Sequence, residues 1–315
     1  MLISVCMPLF NSANYLAAAL DSVLDQSHPN VEIIVVDDGS TDASGAILQG
    51  YGPRVRAITQ ANKGAAAARN AAFRASSGDA ILFMDCDDLI PPGHLSALAA
   101  RLDGPNVIAM GQWDRFYSNP IEAKFPHRPT YRDAEGIQWL TSNGWEMMQS
   151  AMFLIPREHI ERFGLWDETR SPIDDFEFYT RMIASSAGLR FASEAKVFYR
   201  SRISGSLSGK RSRVYCEGQL HSLLRGTAHL LLIEDNVYTR RACANVLQAF
   251  EYEHYPRHSD LRAKVRARVA ELGGADLTPS GPPGFHKLRR FFGWKAARYA
   301  QRAAERLGIN GVARQ

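Results

Sequence analysis

The sequence has few cysteines, and no two of them lie close together in the sequence. Cys6, Cys86, Cys216 and Cys243 are scattered over 315 residues without a CxxC pair. Zinc ribbons and the disulfide frameworks of small secreted domains both need closely spaced cysteines. The sequence therefore argues against both classes, and we expect reduced cysteines in a cytoplasmic setting.

Long apolar runs are also missing. A membrane-spanning helix needs about eighteen or more apolar residues in a row, whereas the segment HLLLI is soon followed by Glu234 and Asp235. The opening MLISVCMPLF has no basic residue and reaches Pro8 before an apolar segment of signal-peptide length is complete. We expect a chain that neither spans a bilayer nor carries an export signal.

What is present is the composition of a globular protein, with 45% hydrophobic and 22% charged residues and a net charge of +4. Five short segments are apolar and rich in Ile, Val and Leu: 2–7, 31–36, 55–59, 80–84 and 107–111. Helical patterns separate several of them, the first from Tyr15 to Gln26 and another after Gly64. This alternation predicts an α/β fold with a mostly parallel sheet, whose ligands bind at the carboxyl ends of the strands.

Acidic residues follow two of these strands. The stretch VEIIVVDDGSTD ends in Asp37 and Asp38, and AILFMDCDD places Asp85, Asp87 and Asp88 within four positions. Carboxylates at this spacing can share a hard cation such as Mg²⁺ or Mn²⁺. The alternative is that one aspartate caps a helix beginning near Pro92. Because three neighbouring carboxylates repel one another and a cap needs only one, a divalent cation explains the cluster better.

Six sequence blocks occur together in a recognisable order. They are PLFNSANYL (8–16), DQSHPNVEIIVVDDGSTD (25–42), NKGAAAARNAA (62–72), GDAILFMDCDD (78–88), FGLWDE (163–168) and DDFEFYTRM (174–182). Together they closely resemble the family 2 glycosyltransferases, which are inverting enzymes of the GT-A fold with nucleotide-sugar donors. The resemblance covers about residues 2–210. It implies a hexosyltransferase that uses a UDP-sugar and assembles bacterial cell-surface polysaccharide or glycolipid.

The resemblance also assigns residues to the donor side. It places Pro8 and Asn11 in a nucleotide-lining loop and Asp38 as the nucleobase acceptor, although Asp38 is alternatively a turn residue beside Gly39. It makes Asp87 a metal ligand and Asp85 a ligand of metal or ribose. Further expected donor contacts are Lys63, Gly64, Arg69, Asn70, Arg200, Arg202 and Ser206. Many relatives carry a histidine where this chain has Arg202 or Ser204, so the register of that segment is open.

On the acceptor side, the resemblance makes Asp175 the catalytic base. An inverting transfer needs a group that removes the acceptor proton while the hydroxyl attacks the anomeric carbon. The alternative is that Asp174 and Asp175 cap the helix that continues through Arg181. In the irregular stretch 110–170, Tyr131, Trp145 and Trp166 are candidates to stack on a sugar, or are core residues.

Four regions are expected: a GT-A catalytic domain at 1–213, a helical extension at 214–272, a Gly/Pro-rich linker at 273–284 and a basic amphipathic helix at 285–315. Residues 285–307 carry seven Lys and Arg against one Glu. This helix could attach the protein to the anionic inner face of the cytoplasmic membrane or dock on the catalytic domain. The expected partners are a nucleotide sugar, a glycan or lipid-linked acceptor and this membrane surface, with no nucleic acid.

Two other functions would account for parts of the sequence. A nucleotidyltransferase acting on sugar phosphates would also use an α/β sheet and a cation, but it would normally show a glycine- and basic-rich phosphate loop near its N-terminus. The sequence MPLFNSANYL has none. A non-catalytic nucleotide-sugar-binding module would need neither the DxD segment nor the acidic pair at 174–175.

Overall fold

The computed structural model describes residues 1–142, 147–203 and 212–306. A seven-stranded sheet lies at its centre, in the order β3-β2-β1-β4-β6-β5-β7. The strands are β1 (Ile3–Leu9), β2 (Val31–Asp37), β3 (Arg56–Thr59), β4 (Ala80–Phe83), β5 (Val107–Phe116), β6 (Phe153–Pro156) and β7 (Gly188–Arg200).

Helices connect the strands and continue beyond them. In chain order they are α1 (Leu16–Leu24), α2 (Ser44–Gly50), α3 (Ala65–Ala75), α4 (His94–Ala99), α5 (Gly136–Ser142), α6 (Arg157–Phe163), α7 (Asp174–Ala184), α8 (Arg213–Ile233), α9 (Val237–His254), α10 (Ser259–Glu271) and α11 (Pro283–Arg306).

The sheet is parallel except for β6, which runs antiparallel to β4 and β5. The expected α/β class and mostly parallel sheet are therefore confirmed. Strands β1 and β4 carry fully buried side chains such as Val5 and Leu82. Each such side chain contributes about 1.5–3 kcal/mol to stability, and the near-continuous apolar runs reflect strands covered on both faces.

The loops that follow β1, β2 and β4 lie at one edge of the sheet, because their strands are parallel. Asp38 donates its backbone N–H to the Leu9 carbonyl at 2.8 Å, and Met84 donates to the Cys6 carbonyl at 3.1 Å. The loop after β4 also reaches β7, since Leu89 and Phe198 exchange two backbone hydrogen bonds. Chain segments that are distant in sequence thus meet where the acidic residues stand.

The chain divides into two compact units, Met1–Ile233 and Glu234–Gln315. The division lies at 233/234 and not at the expected boundary 213/214, because α8 packs against α7 and belongs to the unit that contains the sheet. The expected helix from Tyr15 to Gln26 begins and ends slightly inside those limits, at Leu16 and Leu24.

In the second unit, α9 and α10 pack together, and α11 lies against α9. Trp294 contacts the rings of Tyr252 and Tyr255 at centroid distances of 4.7 and 5.2 Å. Gly293 interrupts α11 with a φ of 77°. Among the described residues, no helix is long and apolar enough to cross a membrane.

Candidate active site

The loops after β1 and β2 are joined by side-chain hydrogen bonds. Asn11 has a φ of 48°, a backbone region that asparagine tolerates well. Its Oδ1 accepts from the Thr41 backbone N–H at 2.7 Å, and its own N–H donates to Ser40 Oγ at 3.0 Å. Pro8, near the end of β1, is half-buried. These contacts fix the loop in which the sequence predicts nucleotide-lining residues.

Asp38 is buried and engaged with the loop at 60–64. Its Oδ1 accepts from Gln60 Nε2 at 2.7 Å and from the Lys63 N–H at 2.8 Å, and its Oδ2 accepts from the Gly64 N–H at 2.8 Å. The carboxylate therefore holds the chain just before α3, while Asp37 is the residue that supports Ser40. Contact of Asp38 with a nucleobase stays a prediction.

Lys63 and Gly64 contribute to this loop mainly through their backbone. The Lys63 side chain is exposed, and Gly64 has a φ of 102°, a conformation that side-chain-bearing residues rarely adopt. Glycine is thus required where the chain turns into α3. Phe10, which was not singled out from sequence, is 47% exposed beside this edge.

Arg69 connects the two acidic clusters of the site. Its guanidinium is buried, with NH2 at 2.7 Å from Asp85 Oδ1 and NH1 at 2.8 Å from Asp174 Oδ2. It also lies over the Trp166 ring at 4.4 Å. Burial disfavours its charge, but Asp174 and Asp85 outweigh burial and raise the pKa of Arg69. Both terminal nitrogens of Arg69 are thus bound to carboxylates, and its contact with the donor stays a prediction.

The loop after β4 brings Asp85, Asp87 and Asp88 together, with one oxygen of each within 4.8 Å of the others. Burial and the charge of Asp85 raise the pKa of Asp87 to about 7. Carboxylate oxygens are suitable ligands for a hard divalent cation, which would relieve this repulsion. The helix-capping alternative does not hold, because α4 begins at His94 with Gly93 before it and no side-chain cap.

Asp88 has a different role from its two neighbours. It is fully buried, its Oδ1 accepts from the Arg200 N–H at 3.0 Å, and its Oδ2 accepts from the Gln149 side chain. It therefore ties the acidic loop to the end of β7, which leaves Asp85 and Asp87 as the partly exposed pair. Sequence reasoning missed Gln149, since no motif marks it.

Arg200 lies beside the acidic loop after β4, and its contact with the donor stays a prediction. Its Nε donates to the Asp87 carbonyl at 2.9 Å, and its guanidinium lies 4.4 Å from the Phe116 ring centroid and 5.0 Å from that of Tyr15. Arg202 is exposed and lies over the Tyr117 ring at 4.3 Å. Ser206 lies outside the described residues, as does Trp145.

Asp174 and Asp175 form the first turn of α7. Neither is its N-cap, which is Ile173 without a side-chain cap bond, so the capping alternative is not supported. Arg69 pairs with Asp174, and Asp174 in turn accepts from the Asp175 N–H at 3.0 Å. Burial and the neighbouring Asp174 charge raise the pKa of Asp175 to about 7. A partly exposed carboxylate with such a pKa can exchange a proton near neutral pH.

Two of the sequence blocks, NKGAAAARNAA and FGLWDE, are joined by hydrogen bonds near the acidic clusters. Asn70 donates to the Trp166 carbonyl at 2.9 Å and accepts from the Trp166 N–H at 3.0 Å, and it also donates to Glu168. Trp166 stacks on Phe178 with ring centroids 4.1 Å apart. Trp166 and Tyr131 are buried, which supports the interpretation of both as core residues.

The sequence was compared with families of known proteins. A model of the family described as Glycosyl transferase family 2 matches residues 4–164. Glycosyltransferase GlyA of Streptococcus pneumoniae serotype 4 is 41% identical over 256 residues, which covers 75% of this chain and 35% of GlyA. This chain thus spans about a third of the length of that relative. GlyG of the same organism is 28% identical over 222 residues, covering 65% of this chain and 72% of GlyG.

Solved structures give the same fold. The structure of S. aureus TarS 1–349 in complex with UDP-GlcNAc has a TM-score of 0.70 and 17% identity, covering 98% of this chain and 92% of that one. TarS 1–349 in complex with UDP has a TM-score of 0.62 and 15% identity, covering 96% and 92%. At such identity the likeness shows the fold, and it confirms the expected GT-A architecture. Because the family model matches more than half of the sequence, the chain belongs to glycosyl transferase family 2.

Proposed function

We propose that this protein is an inverting glycosyltransferase that moves a sugar from a nucleoside diphosphate sugar, a UDP-sugar, to a hydroxyl acceptor. The observation that carries the proposal is the Arg69 bridge. The Arg69 guanidinium contacts Asp85 at 2.7 Å and Asp174 at 2.8 Å. Asp85 lies in the loop after β4, here called the cation loop, and Asp174 belongs to the acidic pair Asp174–Asp175. The two carboxylate clusters that such a reaction needs are therefore neighbours and can flank one substrate.

Asp175 is proposed as the catalytic base. Its carboxylate accepts the proton of the acceptor hydroxyl as that oxygen bonds to the anomeric carbon and the bond from this carbon to the diphosphate breaks. The displacement inverts the anomeric configuration. With its pKa raised to about 7 by burial and by Asp174, Asp175 is a stronger base than an ordinary aspartate while still largely ionised just above neutrality.

Asp85 and Asp87 are proposed to hold a divalent cation, Mn²⁺ or Mg²⁺. When bound, the cation would supply positive charge against the diphosphate leaving group. Arg200, which donates to the Asp87 carbonyl, and Arg202, two residues further along, are proposed to add to that charge. Asp88 stabilises this loop through hydrogen bonds with the Arg200 N–H and the Gln149 side chain.

A UDP-sugar is favoured because the TarS structures of the same fold contain UDP-GlcNAc and UDP. Pro8, Asn11, Asp38, Lys63 and Gly64 are proposed to line the nucleotide, since their loops meet at the carboxyl ends of β1 and β2. Arg69 is proposed to act on the donor side through Asp85 and not by direct contact.

Incubation with a panel of nucleotide sugars and Mn²⁺ tests this proposal. A transferase, or slow hydrolysis of its donor, releases nucleoside diphosphate, and we expect the largest release from UDP-sugars. Release of pyrophosphate would instead identify a nucleotidyltransferase, and binding without any release would identify a non-catalytic module. Mass spectrometry of products formed with cell-envelope glycolipid extracts would then identify the acceptor.

A role in cell-surface polysaccharide or glycolipid assembly, with attachment to the inner face of the cytoplasmic membrane, is part of the proposal. The segment 285–307 is strongly basic, and α11 contacts α9 through the rings of Trp294 and Tyr252. Phe291 and Phe292 remain 76% and 71% exposed beside the basic residues Lys287, Arg290 and Lys295. Exposed aromatic rings among cations fit an anionic lipid surface, where each cation contributes about 1 kcal/mol.

Flotation with lipid vesicles tests the membrane role. We expect the full chain to float with vesicles that contain phosphatidylglycerol and to stay behind with purely phosphatidylcholine vesicles. The double variant F291S/F292S should lower the floating fraction several-fold. Tyr238→Ser is a matched control, because Tyr238 is 78% exposed and lies outside the basic segment. Equal flotation of the two variants would contradict the membrane role of these rings.

A further inference from the structure

Helix α8 packs along the chain segment that carries the proposed base. The contacting residues lie on one face of the helix, four or three positions apart: Gly218, Ser222, Gly226 and His229. Their partners run in sequence from Arg170 to Glu177. The family model ends at residue 164, so neither this segment nor α8 is part of the matched region.

Two glycines allow the backbones to approach closely. A Cβ at Gly218 would lie 1.9 Å from the Arg170 carbonyl oxygen, and a Cβ at Gly226 would lie 2.5 Å from the Phe176 ring. Real Cβ atoms essentially never approach other atoms to such distances. The position of α8 therefore sets the position of Phe176, which follows Asp175 directly.

Polar contacts fix the same segment from α8. Ser222 Oγ donates to the Ile173 carbonyl at 2.7 Å, and Ile173 is the residue that precedes α7. His229 Nε2 lies 2.8 Å from Glu177 Oε1, which also accepts from Arg181. Arg181 in turn donates to the carbonyls of Phe163, Gly164 and Leu165. The first turn of α7 is thus held on both sides of the acidic pair.

Opposite α8, the acidic pair meets α3 through Arg69. The Asp174–Asp175 turn is accordingly held between α3, which also contacts the cation loop, and α8. A shift of α8 would move the turn relative to Asp85. Since a displacement of about 1 Å can cost two orders of magnitude in rate, such a shift is expected to lower the rate of proton removal.

We propose that α8 is a positioning element of the active site and that Ser222 and Gly226 are positioning residues for Asp175. The inference rests on the proposed function, because it takes Asp175 as the base. It predicts that changes at Ser222 or Gly226 lower kcat and leave the donor KM unchanged. The donor loops after β1 and β2 make their own hydrogen bonds, independent of these two residues.

The first test measures kcat and donor KM for Ser222→Ala and Gly226→Ala in the full chain. We expect kcat to fall roughly 3–10-fold for Ser222→Ala and more for Gly226→Ala, although alanine is the better helix former. The donor KM should stay within about twofold. Arg213→Ala is the control, because Arg213 pairs with Glu217 of the same helix and is exposed. Its kcat should stay at the wild-type value.

The second test is a double-mutant cycle with Asp175→Asn. If α8 acts by placing Asp175, Ser222→Ala should change the residual rate less than twofold once the base is absent. A general structural role would lower the rate equally in both backgrounds and would overturn the inference. Wild-type kcat in both α8 variants would overturn it too, whereas an inactive wild-type chain would refute the proposed function instead. If Ser222→Ala does not fold, His229→Gln takes its place in the cycle.

Discussion

The two acidic clusters contact the same guanidinium, yet they are built in different ways. Asp85, Asp87 and Asp88 follow a buried strand within four positions, so the chain itself forces them together. The Asp174–Asp175 turn opens a helix and is placed by α3 on one side and α8 on the other. The first cluster is therefore visible in a short sequence motif, whereas the second depends on tertiary contacts across the unit.

The largest expected loss of activity comes from a change in the Asp174–Asp175 turn. Asp175→Asn removes the proton acceptor and changes no buried ion pair, because Arg69 pairs with Asp174. We expect kcat to fall by about 10³-fold with donor binding preserved, measured by product formation and by calorimetric titration with the donor. An unchanged rate in the folded variant would remove Asp175 as the base.

The next largest loss of activity is expected at the cluster Asp85, Asp87 and Asp88. Treatment with EDTA should abolish activity and added Mn²⁺ should restore it, because Asp85 and Asp87 are the partly exposed oxygen donors of this loop. Asp87→Asn should lower activity about 10²-fold at limiting Mn²⁺ and be partly rescued by excess Mn²⁺. Full activity after dialysis against EDTA would show that this cluster needs no cation.

A smaller effect is expected when the link between the clusters is weakened. Arg69→Lys keeps a positive charge but cannot contact Asp85 and Asp174 through two rigid terminal nitrogens. We expect kcat to fall by about 10–50-fold, with thermal unfolding at a lower temperature. Arg74→Lys on the same helix is the control, since Arg74 is 60% exposed. Equal kinetics of the two variants would show that the link has no role in catalysis.

The pH dependence gives the mildest difference. Asp175 acts as a base only when ionised, and its pKa is raised to about 7 by burial and by the charge of Asp174. The rate of transfer should therefore fall as the pH drops through 7, approaching a tenfold loss per pH unit below it. A profile of kcat between pH 5.5 and 8.5 checks this, and a rate that stays level down to pH 5.5 would contradict it.

The sequence predicted the parts of the fold that form over short distances. Strands β1 to β5 are visible in the sequence as apolar runs, and its motifs contain Asp85, Asp87 and Asp175, whose roles stay predictions. Strand β6 was missed because its four residues lie in an irregular stretch and pair with strands on either side. The two ion pairs of Arg69 could not be predicted, since one partner lies 105 positions away and helical periodicity says nothing about which carboxylates meet it.

The carboxylate of Asp38 shows how a single side chain can mislead an experiment. It accepts three hydrogen bonds from residues 60–64, and the last of them comes from Gly64, the residue just before α3. A substitution at Asp38 would remove hydrogen bonds that fix the N-terminal end of α3. This helix carries Arg69, five residues downstream of Gly64. Weakened nucleotide binding in such a variant would thus reflect a shift of α3 as much as a lost contact between Asp38 and the nucleobase.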